Sequence, residues 1–170
     1  MKVTYLGLGS NIGNSEQNLI RAITFVGSKF KVLDYSSIYI TSPVGYKNQP
    51  HFFNMVLKID SEGIAPLELL KFVKQAELEL GRRKTFRWGP RVIDIDILYI
   101  EGVQIHSEDL TVPHRELFNR DFVLIPLSEI TECIEVNDQI FYLKELISPD
   151  SDSLRNVSLF KSKEDIVIYA

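Results

Sequence analysis

A pair of carboxylates lies directly after a cluster of basic residues in this chain, and together they suggest a particular chemistry. Residues 82–91 read R-R-K-T-F-R-W-G-P-R and hold five of the nineteen lysines and arginines, although the chain has a formal net charge of −4. Asp94 and Asp96 follow at once. Guanidinium groups bind phosphate oxygens, and paired carboxylates bind hard divalent cations. The pattern therefore favours an enzyme that acts on a nucleotide held between arginines and a metal ion.

The two carboxylates are expected to project from the same side of a β-strand. Residues 92–100 are rich in β-branched and aromatic side chains and contain no glycine or proline, which predicts a strand. Because side chains alternate along a strand, Asp94 and Asp96 share one face, with Cα atoms roughly 6.5–7 Å apart. The opposite face is predicted to carry Ile93, Ile95, Ile97 and Tyr99. Two such oxygen ligands suit Mg²⁺, whereas ion pairs with the preceding arginines are the alternative interpretation.

Composition limits the class of protein. With 170 residues, of which 45% are hydrophobic, the chain is expected to form one domain with a substantial core. No apolar run approaches the roughly 20 residues of a membrane span, and the N-terminal run is too short for a signal peptide, so no membrane association is expected. The net negative charge disfavours nucleic acid as a partner. The single cysteine, Cys133, predicts no internal disulfide and fits a cytoplasmic protein.

The elements that must position these residues follow a β-α-β-β-α-β order. Strands are predicted at residues 2–9, 31–40, 53–60 and 92–100. One helix is predicted to begin after Asn14, whose side chain can cap it, and a second to extend from Pro66 to a terminal Gly81. The buried face of the second helix is predicted to comprise Leu67, Leu70, Val73 and Leu80. The order predicts an α+β fold with a ferredoxin-like core, followed by short C-terminal helices and strands.

Two further features allow more than one interpretation. The glycines of residues 7–13 lie between a strand and a helix, as in a dinucleotide-binding loop. The elements that follow do not continue a doubly wound fold, so close approach of backbone to a loop or substrate is favoured instead. Glu77 falls on the buried stripe of the second helix, where a carboxylate usually has a partner. It is predicted either to pair with Arg82 or Arg83 or to belong to a site.

Several ordered motifs resemble those of the 6-hydroxymethyl-7,8-dihydropterin pyrophosphokinases. They are G-L-G-S-N from Gly7, T-S-P-V-G from Thr41, R-W-G-P-R from Arg87 with the D-I-D that follows, and L-T-V-P-H from Leu110. The resemblance extends over about residues 2–147. It implies a monomeric enzyme of folate biosynthesis that uses ATP as co-substrate and two Mg²⁺ ions. Such an enzyme transfers a diphosphoryl group from ATP to the hydroxymethyl oxygen of a reduced pterin and releases AMP.

The resemblance also implies a role for each matched residue. Asp94 and Asp96 would hold the magnesium ions and, with Arg82 and Arg91, would form the catalytic set. The ATP-binding residues would be Glu77, Arg82, Arg83, Lys84, Arg87, Trp88, Arg91, Ile97, His114 and Arg120. The pterin would be bound by Thr41, Ser42, Pro43, Val44, Phe52, Asn54 and Phe122. The rings of Phe52 and Phe122 would lie on its two faces, and either Arg83 or Lys84 would make the second loop contact to phosphate.

The C-terminal residues and two rival classes of protein remain open. Residues 1–147 are expected to form the pyrophosphokinase domain, and residues 148–170 a linker and tail of unknown role. The polar stretch at 148–153 is typical of a linker, and residues 164–170 either add an edge strand or stay loose. An RNA-binding module is one alternative, although the two aspartates would repel phosphate. A sensor that binds a nucleotide without consuming it is the other.

Overall fold

A computed structural model describes residues 1–147 and 156–169 of the chain, so the predicted linker at 148–153 lies outside the described residues. The elements are β1 (Val3–Ser10), α1 (Ser15–Gly27), β2 (Lys31–Tyr35), β3 (Ile38–Thr41), β4 (Phe52–Asp60), α2 (Pro66–Glu79), β5 (Asp94–Ile100), β6 (Ile105–His106), β7 (Thr111–Val112), α3 (Asp121–Ile130), β8 (Cys133–Val136), β9 (Gln139–Tyr142), α4 (Leu143–Leu146) and β10 (Val157–Lys161). None of the helices described within these two ranges has the length and apolarity needed to span a membrane.

A six-stranded antiparallel sheet forms the centre of the fold. Its strands follow the order β10-β3-β4-β1-β5, and β2 pairs with the same strand, β4, as β3 does. If β2 and β3 are counted as one strand, the elements from β1 to β5 follow the predicted β-α-β-β-α-β order. The ferredoxin-like α+β fold is confirmed. Two short hairpins, β6–β7 and β8–β9, with helices α3 and α4, make up the predicted C-terminal additions.

Helices α1 and α2 cover one face of the sheet. The predicted cap of α1 is confirmed, because the Asn14 side chain accepts a hydrogen bond from the Gln17 N–H at 3.0 Å. Pro66 occupies the first turn of α2, and Gly81 follows the helix with a φ of +101°, a conformation that favours glycine. The predicted buried face of α2 is partly wrong: Leu67 is exposed and Leu69 is buried instead. The apolar side chains between the helices and the sheet form the larger core.

The opposite face of the sheet carries α3 and a second, smaller core. Leu124 and Leu127 of α3 pack there with Tyr5 of β1 and with Leu98 and Tyr99 of β5. The prediction that Tyr99 shares a face with Ile95 and Ile97 is wrong. A register shift in the β1–β5 pairing makes Leu98 an extra residue, so the alternation of side chains changes sides before Tyr99.

The predicted strand at residues 31–40 is interrupted at two buried serines. Ser36 Oγ accepts a hydrogen bond from the Val56 N–H at 2.9 Å, and Ser37 Oγ donates one to Glu129 of α3 at 2.6 Å. The Ser36 hydroxyl takes the place of a backbone acceptor for the Val56 N–H, while the Ser36 N–H still donates to the Val56 carbonyl. The backbone ladder along β4 is therefore interrupted here, and one predicted strand becomes two. The Ser37 hydrogen bond also attaches the start of β3 to α3.

The C-terminal residues continue the sheet. Strand β10, residues 157–161, pairs with β3 at the edge of the sheet. An added edge strand therefore exists, but it lies before residues 164–170, where the sequence left either an edge strand or a loose tail open. Ile166 is buried in the larger core, and the Lys163 ammonium pairs with Asp34 at 3.2 Å. The described part of the tail therefore packs on the same sheet as the rest of the chain.

Candidate active site

A cavity on the α3 side of the sheet collects most of the residues that the sequence predicts to bind substrates. It lies where the C-terminal end of β1 and the start of β5 meet the loops before β4 and β5. The predicted residues in its lining are Thr41, Ser42, Val44, Phe52, Asn54, Trp88, Arg91, Asp94, Asp96, His114, Arg120 and Phe122. They come from distant parts of the sequence, and the sheet brings them together.

The two aspartates lie on the floor of this cavity, opposite the glycines of β1. In the sheet register, Asp96 is opposite Gly7 and Asp94 is opposite Gly9. A Cβ atom added to Gly7 would lie 3.3 Å from the Leu98 side chain, and one added to Gly9 would lie 3.2 Å from Asn54 Oδ1. The two glycines therefore leave room for side chains of the neighbouring strands, and an approach of this backbone to a loop or a substrate stays a prediction.

Asp94 forms ion pairs with arginines of the preceding loop, which the sequence left open as an alternative to metal binding. Its carboxylate accepts hydrogen bonds from Arg82 Nη1 at 2.8 Å and from Arg91 Nη1 at 2.5 Å. All three side chains are partly exposed, so the cluster is accessible from the cavity. The two arginines at either end of the basic loop are thereby drawn to the start of β5.

Asp96 differs from Asp94 although they lie on the same strand face. Within the described ranges its side chain makes no ion pair or hydrogen bond, and its carboxylate oxygens open onto the cavity. Burial raises the pKa of Asp96 above the ordinary value, and the neighbouring charge of Asp94 raises it further. Two close carboxylates in this state are stabilised by a cation placed between them, so the pair fits a divalent metal ion.

Glu77 holds the start of β5 from behind the cavity. Its carboxylate is almost fully buried, pairs with Arg82 Nη1 at 2.5 Å and accepts a hydrogen bond from the Ile95 N–H at 2.7 Å. Burial raises the pKa of Glu77, whereas Lys74, the Ile95 amide and Arg82 favour the ionised form. The predicted pair with Arg82 is confirmed. Arg82 thus bridges Glu77 and Asp94.

His114 is fixed at the cavity wall by two hydrogen bonds. Its backbone N–H donates to the Leu98 carbonyl at 2.8 Å, and its Nδ1 accepts from the Glu116 N–H at 3.2 Å. An accepting Nδ1 requires the neutral ring to carry its proton on Nε2. Burial lowers the pKa of His114, and the charge of Asp96 opposes that effect. The neutral ring therefore offers an N–H donor near the carboxylate pair.

The opposite wall combines aromatic rings with a buried polar pair. Phe52 of β4 and Phe122 of α3 both line the cavity. Between β3 and β4, the Asn54 side-chain amide donates to Thr41 Oγ1 at 2.8 Å. The Arg120 guanidinium lies over the Phe122 ring, 5.5 Å from its centroid. Flat apolar surfaces next to polar edges suit a planar heterocycle.

The two loops at the cavity entrance pack on each other. Gly45, with a φ of +81°, lies so close to the Trp88 ring that an added Cβ would be 2.9 Å from its Cγ. The side chain of Gln49 donates to the Trp88 carbonyl and accepts from the Asn11 amide. Asn11 also accepts from the Arg91 N–H at 2.7 Å. Of these linking residues, the sequence pointed to Asn11 within its G-L-G-S-N motif, but Gln49 was missed.

Several predicted residues lie outside the cavity lining. Pro43 lines a neighbouring cavity, and Glu77 and Arg82 support the floor from behind. Arg83, Lys84 and Arg87 of the basic loop are exposed, and the Arg87 guanidinium lies over the Trp88 ring. Ile97 lies in the core because it occupies the face of β5 opposite the aspartates. Leu98 does line the cavity and was missed, although simple alternation along β5 places it on the same face as Asp94 and Asp96.

The fold and the site define an α+β protein of the ferredoxin-like type with a carboxylate pair beneath an arginine-rich loop. The family model of 7,8-dihydro-6-hydroxymethylpterin-pyrophosphokinase matches residues 5–132. A protein of Bacillus subtilis, 2-amino-4-hydroxy-6-hydroxymethyldihydropteridine pyrophosphokinase, is 40% identical over 166 residues, covering 96% of this chain and 93% of that protein. The chain belongs to the 7,8-dihydro-6-hydroxymethylpterin-pyrophosphokinase family.

Other relatives contain more than this chain does. The bifunctional protein FolKE of Lactococcus lactis is 39% identical over 168 residues, which cover 96% of this chain but 47% of that protein. A crystal structure of Plasmodium falciparum HPPK-DHPS with pterin and p-hydroxybenzoate superimposes with a TM-score of 0.71 over 93% of this chain and 47% of that one. At 15% identity this likeness supports the fold alone. The chain thus spans about half the length of these two relatives.

Proposed function

We propose that this chain transfers a diphosphoryl group from ATP to 6-hydroxymethyl-7,8-dihydropterin, giving AMP and the pterin diphosphate for folate biosynthesis. The observation that carries the proposal is the match of the family over residues 5–132, which includes the carboxylate pair and the lining of the cavity. The pterin hydroxymethyl oxygen attacks the β-phosphorus of ATP, the bond from that phosphorus to the α,β-bridging oxygen breaks, and AMP leaves with that oxygen.

The carboxylate pair is the proposed metal site. Asp94 and Asp96 would hold two Mg²⁺ ions together with phosphate oxygens of ATP, since Mg²⁺ commonly takes one or two carboxylates plus substrate phosphates. The unpaired, cavity-facing carboxylate of Asp96 supports this assignment. Bound Mg²⁺ supplies charge stabilisation at the phosphoryl oxygens during an in-line displacement.

The basic loop and its neighbours are the proposed binding site for the ATP phosphates. Arg82 and Arg91 are already at the cavity floor, where their guanidinium groups can donate to phosphate oxygens. The exposed side chains of Arg83, Lys84 and Arg87 lie on a loop that contacts the cavity through Trp88 and Arg91. His114 and Arg120, which also line the cavity, would be further donors. Phosphoryl transfer needs chiefly positioning and charge stabilisation, which such donors provide.

The aromatic wall is the proposed pterin site. Phe52 and Phe122 would contact the two faces of the ring, while the hydrogen-bonded Asn54 and Thr41 would contact its polar edge. We further propose that residues 1–147 contain all the catalytic residues and that the protein acts as a cytoplasmic monomer. The presence of a single cysteine, Cys133, in the sequence supports a reducing compartment.

The products formed from MgATP and the dihydropterin test the proposal. We expect AMP and pterin diphosphate to form in equal amounts, as resolved by anion-exchange chromatography. ADP together with a pterin monophosphate would indicate an ordinary kinase instead. Unchanged ATP in the presence of tight nucleotide binding would contradict the transferase and favour the sensor.

A further inference from the structure

Residues 41–44, on the proposed pterin side of the site, are bordered by open space on two sides. Thr41, Ser42 and Val44 line the candidate active site, and the same residues line a second cavity of about 410 Å³. Phe122 also belongs to both linings. A segment between two cavities has fewer packing contacts than one in a filled core. Its position must therefore depend on the contacts that it does make.

Strand β10 supplies such contacts from the C-terminal part of the chain. In the sheet register Val157 is opposite Thr41, and the Ser42 N–H donates to the Asn156 carbonyl at 3.3 Å. Asn156 and Val157 also form part of the wall of the second cavity. The strand thus extends the sheet along residues 38–41 and begins beside the segment that separates the two cavities.

The strand is anchored on the face of the sheet opposite the candidate active site. The Lys161 ammonium pairs with Glu16 of α1, and the Phe160 ring contacts the Phe53 ring with centroids 4.7 Å apart. Further along the chain, Ile166 is buried in the larger core, against which Phe53 also packs. The position of β10 is therefore fixed by contacts other than those with residues 41–44.

We propose that Asn156 and Val157 are positioning residues that hold residues 41–44 in place for the pterin, an inference that rests on the proposed function. Both residues lie outside the span matched by the family model, residues 5–132, so their role is separate from that of the motif residues. The described lining of the second cavity, to which both residues belong, includes neither the carboxylate pair nor any residue of the basic loop. Loss of this support therefore weakens binding of the pterin and leaves binding of ATP unchanged.

Two variants and a matched control test this role. Val157→Ala trims the side chain that borders residues 41–44, and Phe160→Ala loosens the anchor of β10. Leu159→Ala is the control, because Leu159 lies on the same strand and its side chain is larger than that of Val157 but is 60% exposed. The measurements are KM for the pterin, KM for MgATP, kcat, and the thermal midpoint of unfolding.

We expect Val157→Ala and Phe160→Ala to raise KM for the pterin by about fivefold, with KM for MgATP within about twofold of the parent. Leu159→Ala should leave both constants within about twofold. A pterin KM that stays within twofold of the parent in both test variants would overturn the positioning role. So would equal increases in the two KM values, because a general loss of structure affects both substrates.

A direct binding measurement separates this inference from the proposed function. The Kd of 6-hydroxymethylpterin is followed by its intrinsic fluorescence for the parent and the same three variants. If the parent binds the pterin but forms no AMP, the transferase proposal fails, and weaker binding by Val157→Ala and Phe160→Ala still supports the positioning role. Equal Kd values for all four proteins overturn the positioning role alone. A parent that binds no pterin contradicts both.

Discussion

Asp94 and Asp96 have the same side chain on the same strand face but different surroundings. Asp94 accepts hydrogen bonds from Arg82 and Arg91, whereas Asp96 faces the cavity without a partner in the described ranges. Burial and the charge of Asp94 raise the pKa of Asp96, so ionisation of Asp96 costs free energy in the folded protein. A carboxylate kept in such a position at a cost to stability is typical of a functional site.

Replacement of Asp96 should therefore separate stability from activity. In Asp96→Asn the unfavourable ionised carboxylate is absent at neutral pH, so we expect the free energy of unfolding to equal or exceed that of the parent. Turnover should fall by about 100-fold or more, because a proposed metal ligand is lost. Urea unfolding and AMP formation at saturating substrates measure the two effects.

Two controls accompany this variant. Asp94→Asn should lose similar activity but should also lose stability, by about 1 kcal/mol, because Arg82 and Arg91 lose their shared partner. Asp109→Asn, at an exposed position, should change neither quantity. An Asp96→Asn protein that unfolds much more easily than the parent would show that Asp96 has a structural partner and would contradict the assignment.

At the level of elements, the active site depends on two loops that pack on each other. Gly45 lies directly against the Trp88 ring, and Trp88 itself has a positive φ of 66°. The rings of Tyr46 and Phe86 add an edge-to-face contact with centroids 5.0 Å apart. The loop before β4 and the loop before β5 therefore form one wall in this structure.

Gly45→Ala should separate these loops. The added Cβ would lie 2.9 Å from Trp88 Cγ, and at a φ of +81° any residue with a Cβ is strained by about 1 kcal/mol or more. We expect KM for both substrates to rise, as measured by initial rates of AMP formation. Gly63→Ala is the matched control, because Gly63 has a φ of +84° and an added Cβ there meets no atom within 4 Å. Equal KM values in the two variants would show that the Trp88 contact is unimportant.

A second link between elements joins β3 to helix α3, which packs on the sheet. The Tyr39 hydroxyl donates to Glu129 Oε2 at 3.0 Å, and Glu129 also accepts from the backbone N–H of Ser37 at 2.9 Å. Burial, followed by the negative charge of Glu129, raises the pKa of Tyr39 to about 12. The folded protein thus holds the phenolic proton more tightly than the unfolded chain does.

This difference predicts a pH dependence of stability. Because the pKa of Tyr39 is raised in the folded state, the protonated phenol contributes to the free energy of unfolding. That contribution is fully present below about pH 10 and is lost as the pH rises towards 12. Tyr39→Phe should lower the free energy of unfolding at pH 9 and by less at pH 11.5, as measured by urea titration. Tyr169→Phe, at an exposed position, is the control. A Tyr39→Phe deficit that is the same at both pH values would contradict the assignment.

At the scale of the whole molecule, local patterns predicted the parts of the fold that local forces determine. The Asn14 cap, the Pro66 and Gly81 boundaries of α2 and the shared face of the two aspartates all follow from short-range geometry. The central order of strands and helices was predicted for the same reason. The D-I-D strand and the R-W-G-P-R loop then sufficed to suggest a nucleotide enzyme.

The features that the sequence did not reveal depend on contacts between distant residues. The register shift beside Leu98 arises from pairing with β1, and the break at Ser36 depends on Val56 of β4. Strand β10 pairs with a strand more than a hundred residues earlier, and no local pattern specifies that partner. The burial of Leu69 in place of Leu67 reflects how α2 is rotated on the sheet. Tertiary packing decides each of these.

Binding of metal by the carboxylate pair in the substrate complex is the central claim, and Mn²⁺ as a paramagnetic substitute for Mg²⁺ tests it most directly. The number of bound Mn²⁺ ions is counted by electron paramagnetic resonance with α,β-methylene ATP and the pterin present. We predict two bound ions for the parent and loss of at least one in Asp94→Asn and in Asp96→Asn. The same number of ions in the parent and in both variants would contradict metal binding by Asp94 and Asp96.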